Sequence, residues 1–183
     1  MPSRGSEHQP GVPLTRWYRS FAVAGLHNPE VRGPARYWLQ LEGSFTRALR
    51  KECRQSFHVE IQREGFGRPT PEEAQRLAIP GRERAWIREV RLCGDGRPWV
   101  LARTVIPLDC LEGRNRILRN LGNKPLGAYL FSGPRPRWQR GPLETGLCAS
   151  QGSEQPRLAR RSIFHDGNHA LLVGEYLLPV LYS

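Results

Sequence analysis

Lysine is almost absent from this chain: of 28 basic residues only Lys51 and Lys124 are lysines, so the formal net charge of +11 rests on scattered arginines. A dispersed arginine bias without a helix-turn-helix, an aromatic RNA-binding motif or zinc spacing argues against a nucleic-acid partner. It would still draw a small anion toward a cleft. Close cysteine pairs are missing as well. Cys53, Cys93, Cys110 and Cys148 lie far apart, which excludes structural zinc of the CxxC kind and suits reduced thiols in the cytosol. No stretch approaches the roughly 18 apolar residues of a membrane span, and the start MPSRGSEHQPGVPL has no apolar signal core. A cytoplasmic protein is the expectation. A Gly-x-Ser-x-Gly elbow, a strand–GxGxxG–helix unit and a recognisable Cys/His nucleophile pair are all lacking, so neither covalent catalysis nor a cofactor is expected. His165 and His169 flank Asp166-Gly167-Asn168, but a turn that needs positive φ explains those residues better than a metal does.

What remains, 183 residues with 38% hydrophobic and 25% charged, is enough for one globular domain. Residues 1–35 are rich in Pro, Gly, Ser and Arg and are expected to be poorly ordered or loosely docked, with the folded domain spanning 36–183. Trp38, Leu39, Leu41, Phe45 and Leu49 recur at helical intervals, with a weak point or break at Gly43-Ser44. Residues 56–62 alternate as a half-exposed strand. The Gly- and Pro-punctuated run through 64–81 reads as a long connection that could serve as a lid, with one helical turn after Thr70.

Residues 84–93 and 97–106 predict a hairpin, because Asp95-Gly96 between two alternating apolar runs suits a type I′ turn. A two-residue loop pairs Leu92 with Trp99, Val90 with Leu101 and Arg88 with Arg103. Both arginines then share a face with Trp86, Val90 and Leu101. Opposed guanidiniums on an apolar face repel and are costly to desolvate, so something must compensate. Internal carboxylates could do so, or that face could be exposed; alternatively the pair clamps carboxylates of a ligand, for which arginine's planar fork is suited.

Past Pro107, Leu111, Ile117, Leu118 and Leu121 predict a helix ending at Gly122. Pro125 then opens a second helix, leaving the Leu126 N–H as a free anion donor. Residues 132–157 read as a surface loop. A second hairpin turns at Asp166-Gly167-Asn168, and Glu175 alternates with Leu171, Val173 and Leu177. Such a carboxylate either pairs with an arginine or holds a proton.

The stretches YWLQLEGSFTRALR, QREGFGR, AWIREVRLCGDGRPWVLARTVIP, LGNKPLGAYLF and ALLVGEYLLP, in that order, resemble chorismate lyase, the chorismate–pyruvate lyase of ubiquinone biosynthesis, over about residues 36–181. The resemblance implies an α+β fold, an antiparallel sheet with helices and flaps over an internal cavity. It implies removal of pyruvate from chorismate to leave 4-hydroxybenzoate, without metal or cofactor. It assigns the aromatic carboxylate to Arg88 and the Leu126 amide, the far ring oxygen to Glu175, and a place near that oxygen to Phe45, where many members carry methionine. From the strand register, Arg103 is expected to meet the side-chain carboxylate. Glu175 either donates a proton to the ether oxygen or only positions the oxygen while a proton moves within the substrate. The partners expected are chorismate and 4-hydroxybenzoate, with no nucleic acid and no membrane span, and a monomer. The rivals are a non-catalytic sensor domain of the same fold and an enzyme making a different hydroxybenzoate.

Overall fold

A computed structural model describes residues 10–183. The eight strands are β1 (Thr15–Tyr18), β2 (Phe57–Gly67), β3 (Ala85–Gly94), β4 (Arg97–Pro107), β5 (Gln139–Arg140), β6 (Glu144–Cys148), β7 (Leu158–Asp166) and β8 (His169–Leu177). They form one antiparallel sheet in the order β1-β6-β7-β8-β4-β3-β2, with β5 added onto β7. The helices are α1 (Phe21–His27), α2 (Arg36–Gln40), α3 (Phe45–Glu52), α4 (Pro71–Arg76) and α5 (Leu126–Leu130). The expected α+β class is what is found.

Most helices cover one face of the sheet. There α1, α2 and α3 bring Ala24, Trp38, Leu39 and Leu49 against Val59, Val90, Val100 and Leu177. A second cluster on that face joins Leu118, Leu121 and Leu130 to Ile106, Phe164 and Val173. On the opposite face Leu77, just after α4, packs on Val105, Ile163 and Leu172.

Both hairpins form, and the first differs in register. Gly94 pairs with Arg97 and Cys93 with Pro98, after which Leu92 pairs with Val100, so Trp99 is an extra residue in β4. Pro98 has no N–H to continue the ladder, and the Trp99 ring lies across Gly94, where a Cβ would come within 2.4 Å of it. Beyond this bulge every pairing shifts by one: Arg88 faces Thr104, and Arg103 faces Glu89. Because side chains alternate, one residue moves Arg103 to the other side of the sheet.

Three further expectations change. Residues 10–35 are docked rather than loose, with β1 on β6 and Tyr18, Ala24 and Val31 buried; residues 1–9 lie outside the described residues. The predicted helix over 108–121 is two 3₁₀ segments, Leu108–Leu111 and Gly113–Arg119, separated where Gly113 takes φ +57°. The loop 132–157 carries β5 and β6. The break at Gly43-Ser44, one of the two alternatives expected there, forms: Gly43 adopts φ +79° and the Ser44 hydroxyl accepts from the Arg47 N–H to start α3.

Candidate active site

A cavity lies between the two clusters of the helix-covered face, lined by Phe45, Arg88, Thr104, Leu126, Arg140, Arg160, Val173 and Glu175 among others. Two adjacent rows across the sheet supply its floor. One row runs Arg88, Thr104, Val173, Ser162 and continues past Arg88 to Glu64, which lies outside the lining; the next runs Val90, Ala102, Glu175, Arg160. Two strand spacings and one two-residue step put the Cα atoms of Arg88 and Glu175 roughly 12 Å apart. That separation leaves room for a ring with polar groups at opposite ends. Phe45 from the start of α3 and Leu126 from the start of α5 cover the floor.

Arg88 is 2% exposed. Its guanidinium donates to Glu64 Oε2 at 2.7 Å and to the carbonyls of Gly122 at 2.8 Å and Lys124 at 3.0 Å. Burial draws it below the usual arginine range while Glu64 pulls the other way. The two carbonyl bonds tie it to the turn before Pro125, which fixes it relative to α5. Pro125 has φ −68° and caps that helix, and the Leu126 N–H one residue later has no backbone acceptor among the described residues.

At the far end Glu175 takes the first of its two alternatives, pairing with an arginine. Arg160, also 2% exposed, sits directly across from it and donates through Nε to Glu175 Oε2 at 2.7 Å. Arg160 also donates to the carbonyls of Trp38 at 3.2 Å and Leu41 at 2.6 Å, and its guanidinium lies over the Phe45 ring at 4.5 Å. Phe45 therefore lines the cavity by backing the arginine that holds Glu175.

Arg103 is not part of this site. It faces the opposite side, 3% exposed, with Nε and Nη2 on the two oxygens of Glu73 at 2.6 and 2.9 Å and Nη1 on Glu89 at 2.6 Å. Burial alone would lower it, but Glu73 and Glu89 outweigh burial and hold it above the usual arginine range. Its role is to staple α4 to the sheet. The expected lid over 64–81 is likewise displaced, since β2 continues to Gly67, α4 lies on the Arg103 face, and none of these residues lines the cavity. Arg140 and Arg160 were missed. The adjacent pair Arg160-Arg161 in an alternating strand forces one guanidinium inward, a signal the sequence did offer; Arg140 had none, because β5 is only two residues long.

This antiparallel sheet, with short helices over a cavity on one face, is a fold shared with solved bacterial proteins. It matches PhnF of Mycobacterium smegmatis with a TM-score of 0.52 at 12% identity, over 94% of this chain and 92% of that one. The C-terminal domain of the histidine utilization repressor of Pseudomonas syringae gives 0.51 at 9% identity, over 70% of this chain and 95% of that one. Sequence narrows the class. The chain matches the family described as chorismate lyase over residues 26–183, and it belongs to that family. It is 67% identical to the "Probable chorismate pyruvate-lyase" of Marinobacter nauticus, over 100% of this chain and 97% of the relative. It is 43% identical to the "Chorismate pyruvate-lyase" of Yersinia enterocolitica, over 86% and 90% respectively.

Proposed function

We propose that the chain is a chorismate pyruvate-lyase that releases pyruvate and 4-hydroxybenzoate, feeding ubiquinone biosynthesis, and that Arg88, Leu126, Glu175 and Phe45 form its site. The observation that carries this reading is the convergence of those four residues, distant in sequence, on one cavity with a cation and a free amide at one end and a carboxylate at the other. Arg88 and the Leu126 N–H take the ring carboxylate, and Glu175 takes the para hydroxyl.

The bond changes are a loss of hydrogen from the hydroxyl-bearing ring carbon, cleavage of the neighbouring ring C–O bond, and gain of a hydrogen by the side-chain methylene. Enol ether becomes ketone, the ring becomes aromatic, and no outside electron acceptor is needed. A carboxylate that already receives Arg160 is an acceptor, which supports the positioning role of Glu175 over proton donation to the ether oxygen. Transfer of the proton within the substrate then depends on how the ring is held. Orientation in an enclosed pocket is the main catalytic contribution.

The four unpaired thiols fit a reducing cytoplasm. No helix among the described residues is long and apolar enough to cross a membrane. Incubation with chorismate alone, followed by chromatography, tests the function: equimolar pyruvate and 4-hydroxybenzoate are expected. A different hydroxybenzoate would replace the product assignment, and tight aromatic-acid binding without turnover would favour a sensor.

A further inference from the structure

Chorismate carries two carboxylates, and the assignment above places only one. The second sits on the enolpyruvyl ether, whose ring carbon neighbours the hydroxyl that Glu175 takes. It must therefore lie at the Arg160 end of the cavity, away from Arg88. Removing a second charged group from water is costly unless a cation meets it.

The cations lining the cavity are Arg88, Arg160 and Arg140. Arg88 bonds Glu64, and Arg160 bonds Glu175. Arg140 forms no ion pair among the described residues; its Nη1 reaches only the carbonyls of Leu41 at 3.3 Å and Gly43 at 3.5 Å, both long contacts. It is buried enough for desolvation to draw it below the usual arginine range, and the repulsion of Arg160 adds to this while Glu175 and Glu42 oppose it. Its charged neighbours are thus the two groups at the far end of the site and Glu42 on the side of the adjoining depression.

Its position carries a second consequence. Arg140 lines both the enclosed cavity and an adjoining open depression that includes Phe21, Gln40, Glu42 and Pro142, with Gly43 and Phe131 also shared between the two. A guanidinium at that junction stands between the enclosed cavity and the open surface.

We propose that Arg140 binds the enolpyruvyl carboxylate of the substrate and that the depression beyond it is the path by which pyruvate departs. This rests on the lyase reading. The role is specific to the substrate, because the aromatic product retains only the ring carboxylate.

The test compares Arg140→Gln and Arg140→Lys with the unaltered protein, measuring chorismate turnover and 4-hydroxybenzoate binding by calorimetry. For Arg140→Gln, kcat/KM is expected to fall about 10- to 100-fold, chiefly through KM, as loss of one charge-assisted contact implies. Its affinity for 4-hydroxybenzoate is expected to change by less than about 2-fold, since no product carboxylate reaches Arg140. Arg140→Lys should recover part of the loss. An unchanged KM for chorismate overturns the proposal. So do equal losses for chorismate and 4-hydroxybenzoate, which would mean that Arg140 only braces the break between α2 and α3. Absence of turnover in the unaltered protein would remove the lyase reading itself and this proposal with it.

Discussion

Arg160 and Glu175 face each other across two strands, and neither can be changed alone without consequence. Replacing Arg160 by Ala leaves a half-buried carboxylate without its partner and the Trp38 and Leu41 carbonyls without their donor. A loss of about 3 kcal/mol is expected, read as a fall in the urea midpoint. Arg160→Lys should recover little, since one ammonium cannot span a carboxylate and two carbonyls in the same fork. Arg88→Ala is expected to abolish measurable 4-hydroxybenzoate binding, whereas Arg103→Ala should lower stability and leave the product affinity of the folded protein unchanged; calorimetry separates them. Arg88, Phe45, Leu126 and Glu175, singled out in the sequence, line one cavity, each from a strand or helix start with a clear pattern. Arg103 went to the wrong face because its position was counted through a turn whose far side holds a bulge.

That bulge belongs to the hairpin as an element. Gly94→Ala would drive a methyl group into the Trp99 ring, and a loss of about 1–3 kcal/mol is expected from chemical denaturation. The turn also answers to pH. Asp95 accepts from the backbone N–H groups of Arg54, Gln55 and Ser56, which hold its carboxyl below the usual aspartate range. A depressed native pKa gives stabilisation that is present above the unfolded value of about 3.9 and lost as pH falls through the folded one. The advantage in denaturation midpoint of the native protein over Asp95→Asn should therefore shrink from about pH 5 to about pH 3. A gap that is constant or grows on acidification would contradict this. Elements with strong periodicity and turn residues, such as β3, β4, β7 and β8, were legible. β1, β5 and β6 were not: they are two to five residues long, and Pro- and Gly-rich surroundings mask the contacts that order them.

At the scale of the whole molecule, the excess of arginine gives the chain a positive field, and chorismate is a dianion. With a net charge of +11, kcat/KM for chorismate should fall several-fold as ionic strength rises from about 20 to about 200 mM. Salt-independent kinetics would confine the useful charge to the cavity. The four cysteines are unpaired, and burial pushes the Cys93 and Cys148 thiols up to about 11 and Cys110 to about 12. Reductant should leave the thermal midpoint unchanged. The polarity of the cavity, cation and amide at one end and ion-paired carboxylate at the other, sets which way an aromatic acid lies. In a crystal structure with 4-hydroxybenzoate, the product carboxylate is expected on Arg88 and the Leu126 N–H with the phenol at Glu175; a product bound in reverse, or outside this cavity, would overturn that orientation.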